Sequence, residues 1–467
     1  MSFQDFKDKT TRALVSKTID NVLNYVNKDR QAGLMKLTDI SEKLMGDKFR
    51  KEVFDGARAL IQNPDAKWMK YANTLMDEID PHVAKTTVLN LGYQAAFYGY
   101  SKTSEFAKKN GFRLPWIILM DPTSACNKHC TGCWAAEYGN KLNLSYEDLD
   151  SIVTQGEELG IYFYMMTGGE PLIRKNDIVK LARKHNKCMF YAFTNGTLID
   201  KQFCEEMKEL GNITLALSIE GFEGENDFRR GKGSFDATVK AMDMLREYGL
   251  LFGTSICYTA KNYLTVTSNE FLDFLIDKGV RYSWYFHYMP VGNEATTDLL
   301  LKPDQREYMY HRIREIRAME GGKPIFTFDF QNDGEYVGGC IAGGRFYCHI
   351  NPNGDVEPCV FIHYSNANIH EKSLLECLSQ PLFRMYQKGQ PFNENHLRPC
   401  PMLENPEALV KLVDASGAKS TDLQSPETPD NLYNKCIDYA KFWTPVAQKL
   451  MWNNPKQKIG IKGELPQ

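Results

Sequence analysis

Three cysteines fall close together in Cys126-Asn-Lys-His-Cys130-Thr-Gly-Cys133, just after the apolar run Ile117-Ile118-Leu119-Met120. A C-x3-C-x2-C loop can fold its thiolates onto three corners of an iron–sulfur cube, and it leaves the fourth iron without a protein ligand. Open metal positions do chemistry, whereas closed ones are structural. The loop therefore predicts a redox enzyme. Two other readings compete with it: a zinc site completed by His129 or a distant cysteine, and three inert buried thiols. Asn127, Lys128 and Thr131 make the loop read as exposed, which argues against inert core thiols.

The surrounding elements must hold that loop. Residues 1–112 read as helical throughout. Leu14, Val15, Thr18, Ile19, Val22, Leu23 and Val26 recur at helical spacing, and amphipathic stretches follow at Leu34–Leu44, Phe54–Ile61 and Trp68–Ile79. Six strand candidates then alternate with helical segments: Trp116–Met120, Tyr162–Thr167, Cys188–Thr194, Ile213–Ser218, Phe252–Tyr258 and Tyr282–Tyr288. That rhythm suits βα units and a parallel sheet, either a partial (β/α)6 TIM-like barrel or an open doubly wound sheet. The cysteine loop follows the first candidate, Gly168-Gly169-Glu170-Pro171 the second, Asn195 the third, and Ser218 with Glu220 the fourth. Small, polar and acidic residues at successive strand ends belong on a barrel's catalytic rim. No G-x-G-x-x-G opens a helix after a strand, which excludes a dinucleotide-binding fold.

The cysteine loop together with Gly168-Gly169-Glu170-Pro171 resembles the radical S-adenosylmethionine (radical SAM) superfamily over residues 113–300. The resemblance implies a 4Fe–4S cluster on Cys126, Cys130 and Cys133, with SAM chelated to its free iron. It also implies reductive cleavage to a 5′-deoxyadenosyl radical and abstraction of hydrogen from an unactivated C–H bond. Gly168, Gly169, Glu170 and Pro171 would then form the SAM-binding turn, with Glu170 accepting from the SAM ammonium. Asn195, Ser218 and Glu220 would bond ribose hydroxyls or the methionyl group, and Arg229 or Arg230 the carboxylate. Many members carry a bulky residue before the third cysteine, near adenine; here that residue is Gly132, with Trp134 on the other side.

A second cysteine set, with Cys340, Gly354 and Cys359, is similar to the opening of SPASM/Twitch extensions, which bind auxiliary 4Fe–4S clusters. The segment Tyr347–Cys359 reads as a hairpin turning at Asn353-Gly354. With Pro352 opposite Asp355, Cys348 would face Cys359 and could share its cluster. Of the usual cysteine-rich finish only Cys400 is present, so one auxiliary cluster is expected. Its ligands would be Cys340, Cys359 and Cys400, with Cys348 as the fourth and His363 or Glu404 as substitutes. Zinc on the same residues is the alternative. Cys188, Cys204, Cys257, Cys377 and Cys436 read as buried fillers.

The organisation expected is a helical N-terminal domain (1–112), a partial barrel (113–302), a small cysteine-rich α+β auxiliary domain (303–410) and a helical tail (411–467). A formal net charge of −3 gives no reason to expect nucleic acid as a partner. Twelve cysteines spread over 467 residues, without a signal-peptide pattern, suggest a reducing cytoplasm. Association with the inner face of the membrane is a second option. The expected electron donor is a reduced flavodoxin or ferredoxin. Two substrate classes suit the chain. SPASM-type relatives point to a peptide or protein. A helical prefix with apolar faces, beside an aromatic mouth of Tyr282, Trp284, Tyr285, Phe286 and Tyr288, suits a lipid. A non-catalytic iron–sulfur carrier is the competing function, but a carrier needs no SAM-binding turn.

Overall fold

The computed structural model describes residues 3–46, 49–135, 141–292 and 295–453. All six strand candidates form strands: β1 (Ile117–Met120), β2 (Phe163–Met166), β3 (Met189–Thr194), β4 (Ile213–Ser218), β5 (Phe252–Tyr258) and β6 (Tyr282–His287). Their near-continuous apolar runs are what a parallel sheet covered on both faces demands. β7 (Phe326–Asp329) pairs parallel with β6, and β8 (Tyr347–Ile350) pairs parallel with β1. The antiparallel β9 (Val356–Glu357) completes the order β7-β6-β5-β4-β3-β2-β1-β8-β9. The sheet thus runs past residue 302 at both edges, taking strands from the segment that carries the second cysteine set.

Period-2 alternation sorts the aromatic residues of β6. Trp284 stacks on Phe328 at 4.4 Å, and Phe286 meets Phe193 edge-on at 5.7 Å, while the Tyr282 hydroxyl donates to Leu215 O at 3.0 Å. Tyr285 lies on the opposite face and donates to Val266 O at 2.8 Å. Of the five aromatic residues expected at the mouth, only Phe286 and Tyr288 line the cavity there. Tyr282 and Trp284 belong to the packed interior.

Helices occupy the chain from Phe3 to Asn110, with short breaks. Their contacts place them at the amino-terminal ends of the strands. The Tyr71 hydroxyl donates to Arg281 O (2.9 Å), just before β6, and Asp80 N–H donates to Gly249 O (2.8 Å), before β5. Asn90 Nδ2 donates to Cys188 O (3.0 Å), before β3. Asp80 also caps the helix Pro81–Thr87 by accepting from His82 N–H. Phe54, Ile61, Met69, Ile79 and Val83 are buried, so the apolar stripes pack inward. This corrects the expectation of a helical prefix beside the mouth: it closes the opposite end. Among the described residues no helix is long and apolar enough to cross a membrane.

The helix Pro429–Leu450 folds back onto the cysteine-rich segment. Arg306 and Glu404, both fully buried, pair at 2.7 Å, and the guanidinium sits 4.2 Å from the Trp443 ring centroid. Two hydrogen-bonded charges and an aromatic face satisfy one another there.

Candidate active site

The turn after β2 is laid against the chain that enters the cysteine loop. Gly169 N–H donates to Thr123 O at 2.9 Å, and Glu170 N–H to Ala125 O at 2.8 Å. A side chain at Gly169 would put its Cβ 2.1 Å from Ala125 O, and Gly168 has φ +105° with Thr123 O at 2.5 Å from its Cβ position. The two glycines thus serve first to let this turn pack on residues 123–125. Glu170 is buried, and its carboxylate accepts from Thr194 Oγ1 (2.6 Å), Leu172 N–H (3.0 Å) and Asn195 N–H (2.8 Å). It braces the turn against the end of β3. Burial pushes its carboxyl up, while these donors pull it down. Pro171 starts a short helical turn, Pro171–Arg174, and is buried.

Cys126, Cys130 and Cys133 share one cavity with Gly168, Gly169 and Glu170. Asn195 and Ser218 line it as well. Asn195 Nδ2 donates to Asn127 Oδ1 at 2.8 Å, tying the end of β3 to the cysteine loop. Glu220 differs. It is fully buried and accepts from Arg229 Nη1 (2.6 Å), Arg230 Nε (2.8 Å) and Cys257 N–H (3.0 Å). It does not line the cavity; it holds the two arginines that do. Thr131 N–H donates to Arg229 O at 2.9 Å, so the same helix steadies the loop.

Cavity residues that the sequence did not mark for this role include Ser255, Cys257 and Phe361. Ser255 is the β5 register partner of Ser218, a pairing invisible without the sheet. Cys257, expected as a filler, faces Arg229, and burial pushes its thiol up to about 11. Tyr288 explains Gly132. A Cβ there would stand 2.8 Å from Tyr288 Cε2, so the tyrosine ring occupies the space that a bulky residue would need.

Burial pushes Cys126 up to about 11 and raises Cys133, with Arg229 and Arg230 opposing at Cys133. Bare, these thiols keep their protons, so ligation must release them. Among the described residues no three His, Cys, Asp or Glu side chains converge as the ligands of a single ion. A cube is larger than an ion and takes its thiolates further apart. Three thiols facing one cavity are the ligand set a 4Fe–4S cluster takes when one iron is left open. His287 also lines the cavity, but Nδ1 lies 2.6 Å from Tyr288 O and Nε2 2.9 Å from the Tyr439 hydroxyl. The His287 imidazole is thus engaged at both nitrogens, whereas His129 is exposed and lines a neighbouring cavity with the three cysteines.

Cys340, Cys359 and Cys400 line a second cavity together with Tyr386. Phe361 and Met289 line both cavities and form the wall between them. The hairpin register differs by one residue from that expected: Ile350 pairs with Val356 and His349 with Glu357. Asn351 N–H donates to Asp355 O at 3.0 Å, which leaves a three-residue turn with Gly354 at φ +87°. A slip of one residue exchanges the faces. Tyr347 therefore meets Cys359, and Cys348 points into the core on the other side. Neither substitute ligand is free: Glu404 pairs with Arg306, and His363 Nε2 lies 3.1 Å from Val360 O. Replacing Cys348 with Ala is expected to leave iron content unchanged, whereas Cys359→Ala removes about four irons per chain. Iron analysis after anaerobic reconstitution checks both.

A buried charge chain joins the two halves. His349 lies 3.1 Å from Asp121, which follows β1, and 2.6 Å from Glu357, all three fully buried. Burial opposes a charged imidazole, but Asp121 and Glu357 outweigh it and push His349 up to about 10. The folded value exceeds the unfolded one of about 6.5, so this stability is complete below that pH and disappears as pH rises towards 10. The expected result is a doubly protonated His349 at pH 8 by 15N NMR of histidine-labelled protein. A neutral ring there would contradict the pairing.

Comparison with known proteins agrees with this geometry. Residues 120–275 match the model of the radical SAM superfamily, and residues 340–402 match SPASM, an iron–sulfur cluster-binding domain. An uncharacterized protein of Methanocaldococcus jannaschii is 31% identical over 283 residues, 56% of this chain and 90% of that protein. Mycofactocin maturase MftC of Mycolicibacterium smegmatis is 26% identical over 57% of this chain and 68% of its own. Fe-coproporphyrin III synthase of Methanosarcina barkeri is 25% identical over 47% of this chain, which spans only 57% of that enzyme. In fold, the chain is similar to the crystal structure of Streptococcus suis SuiB bound to precursor peptide SuiA. The TM-score is 0.52 at 22% identity, over 62% of this chain and 70% of SuiB. Three thiols and a glycine turn on one rim, with a second thiol set behind it, thus have a family: the chain belongs to the radical SAM superfamily, carries a C-terminal SPASM domain, and has 4Fe–4S clusters and S-adenosylmethionine as its cofactors.

Proposed function

We propose that this chain abstracts a hydrogen atom from an unactivated C–H bond of a peptide or protein substrate. The observation that carries the reading is the shared cavity: the Cys126–Cys133 loop and Gly168-Gly169-Glu170 on one wall, Val360 and Phe361 of the auxiliary segment on the other. Bound there, a 4Fe–4S cluster and SAM supply reductive cleavage of the sulfonium and with it a 5′-deoxyadenosyl radical. Cys126, Cys130 and Cys133 hold three irons. The Gly168-Gly169 turn, with Asn195 and Ser218, orients the methionyl and ribose groups, and Arg229 and Arg230 present positive charge to the carboxylate. Glu220 fixes those arginines rather than touching SAM. Phe286, Met289 and Phe361 give the rest of the cavity an apolar wall that keeps water from the C–H bond.

The peptide class draws support from the maturase among the relatives. The lipid class loses its sequence argument, because the helical prefix contacts the base of the barrel and not its rim. A reduced flavodoxin or ferredoxin is the proposed donor. The test is anaerobic reconstitution, reduction with dithionite and analysis for 5′-deoxyadenosine. Deuterium transferred into it from a labelled candidate peptide identifies the substrate class. Intact SAM on fully loaded protein would leave only the carrier reading standing.

A further inference from the structure

The two thiol sets differ in what donates to their sulfurs. At the first loop a backbone amide serves Cys126, with Lys128 N–H at 3.4 Å. At the second set, side-chain hydroxyls take part. The Tyr347 hydroxyl donates to Cys359 Sγ at 2.9 Å while accepting from Val360 N–H at 3.0 Å, so its proton has one direction left to point. The Tyr386 hydroxyl lies 3.3 Å from Cys340 Sγ. Once Cys340 is an iron-bound thiolate it has no proton, and the tyrosine must be the donor.

Both rings are held in place. Tyr347 is on β8, opposite Cys359. Tyr386 fills the space left by Gly343, whose Cβ would stand 2.3 Å from the ring, and it meets Phe392 edge-on at 4.8 Å. Both tyrosines are buried, so water does not compete for the sulfurs. Hydrogen bonds to cluster sulfurs drain negative charge from them and favour the reduced, more negative state.

We propose that Tyr347 and Tyr386 are positioning residues that hold the auxiliary cluster's reduction potential up through O–H···S bonds to Cys359 and Cys340. The proposal rests on the reading that Cys340, Cys359 and Cys400 bind that cluster. The experiment uses the full chain carrying Cys126→Ala, Cys130→Ala and Cys133→Ala, so that one cluster remains. Tyr347→Phe, Tyr386→Phe and the double variant are compared with this background by iron analysis and by redox titration followed by EPR. Unchanged iron is expected, with a more negative midpoint in each single variant and a larger shift in the double. An exchangeable-proton coupling in ENDOR should weaken in parallel. Unchanged midpoints with iron retained would overturn the proposal. Iron lost on Tyr386→Phe would overturn it too, in favour of a ligand role. A background that takes up no iron would instead refute the auxiliary cluster itself, a result distinct from either.

Discussion

Cys133→Ala is expected to abolish 5′-deoxyadenosine formation while keeping roughly half the iron of the reconstituted chain, about four atoms instead of eight. The thiol lines the cavity beside Gly168-Gly169, as one of the three thiols of the loop that face it. Loss of one ligand from a three-thiol set removes the cluster rather than weakening it. Iron analysis and chromatography of the SAM products test both halves. Retained SAM cleavage would mean that the reaction starts elsewhere.

Glu220→Ala is expected to cost about 3–5 kcal/mol, the penalty for leaving buried charge without its partner. Arg229 and Arg230 have side chains only 11% and 14% exposed, and both converge on this one fully buried carboxylate. The carboxylate also takes the Cys257 amide, so its removal frees the helix Glu223–Arg230 from β5. Because Thr131 is tied to Arg229 O, the cysteine loop loses its brace as well. Chemical denaturation of the apoprotein measures the stability loss, and iron content after reconstitution reports the loop. Glu220→Gln keeps two acceptor lone pairs and should fall between. A neutral effect of Glu220→Ala would show that the arginines are solvated rather than paired.

The sequence foretold the six strands and the loops behind them because parallel strands buried on both faces spell themselves out as apolar runs. It did not foretell β7, nor that β8, the first arm of the expected Tyr347–Cys359 hairpin, joins the main sheet beside β1. Phe326–Asp329 alternates rather than running apolar, and Tyr347–Ile350 carries Cys348 and His349, so neither looks like a strand of the buried parallel sheet in isolation. The hairpin register failed for a local reason. Asn353-Gly354 suggests a two-residue turn, but the Asn351 side chain accepts from both Asn353 N–H (3.0 Å) and Asp355 N–H (3.0 Å), which closes a three-residue loop. That single residue decides whether Cys348 or Tyr347 stands beside Cys359. Glu220 was recognised as a site residue, but its partners lie nine and ten positions along, and only the folded helix shows that they use up its acceptors.

The helices at the barrel's base have one more consequence. Trp284 stacks on Phe328 within the barrel, Tyr71 and Asn90 bond to the chain just before β6 and β3, and the cavity of the cysteine loop lies at the other ends of the strands. Under the proposed function, substrate, methionine and spent nucleoside would share the mouth of that one cavity, so release of the small products would be coupled to release of the large one.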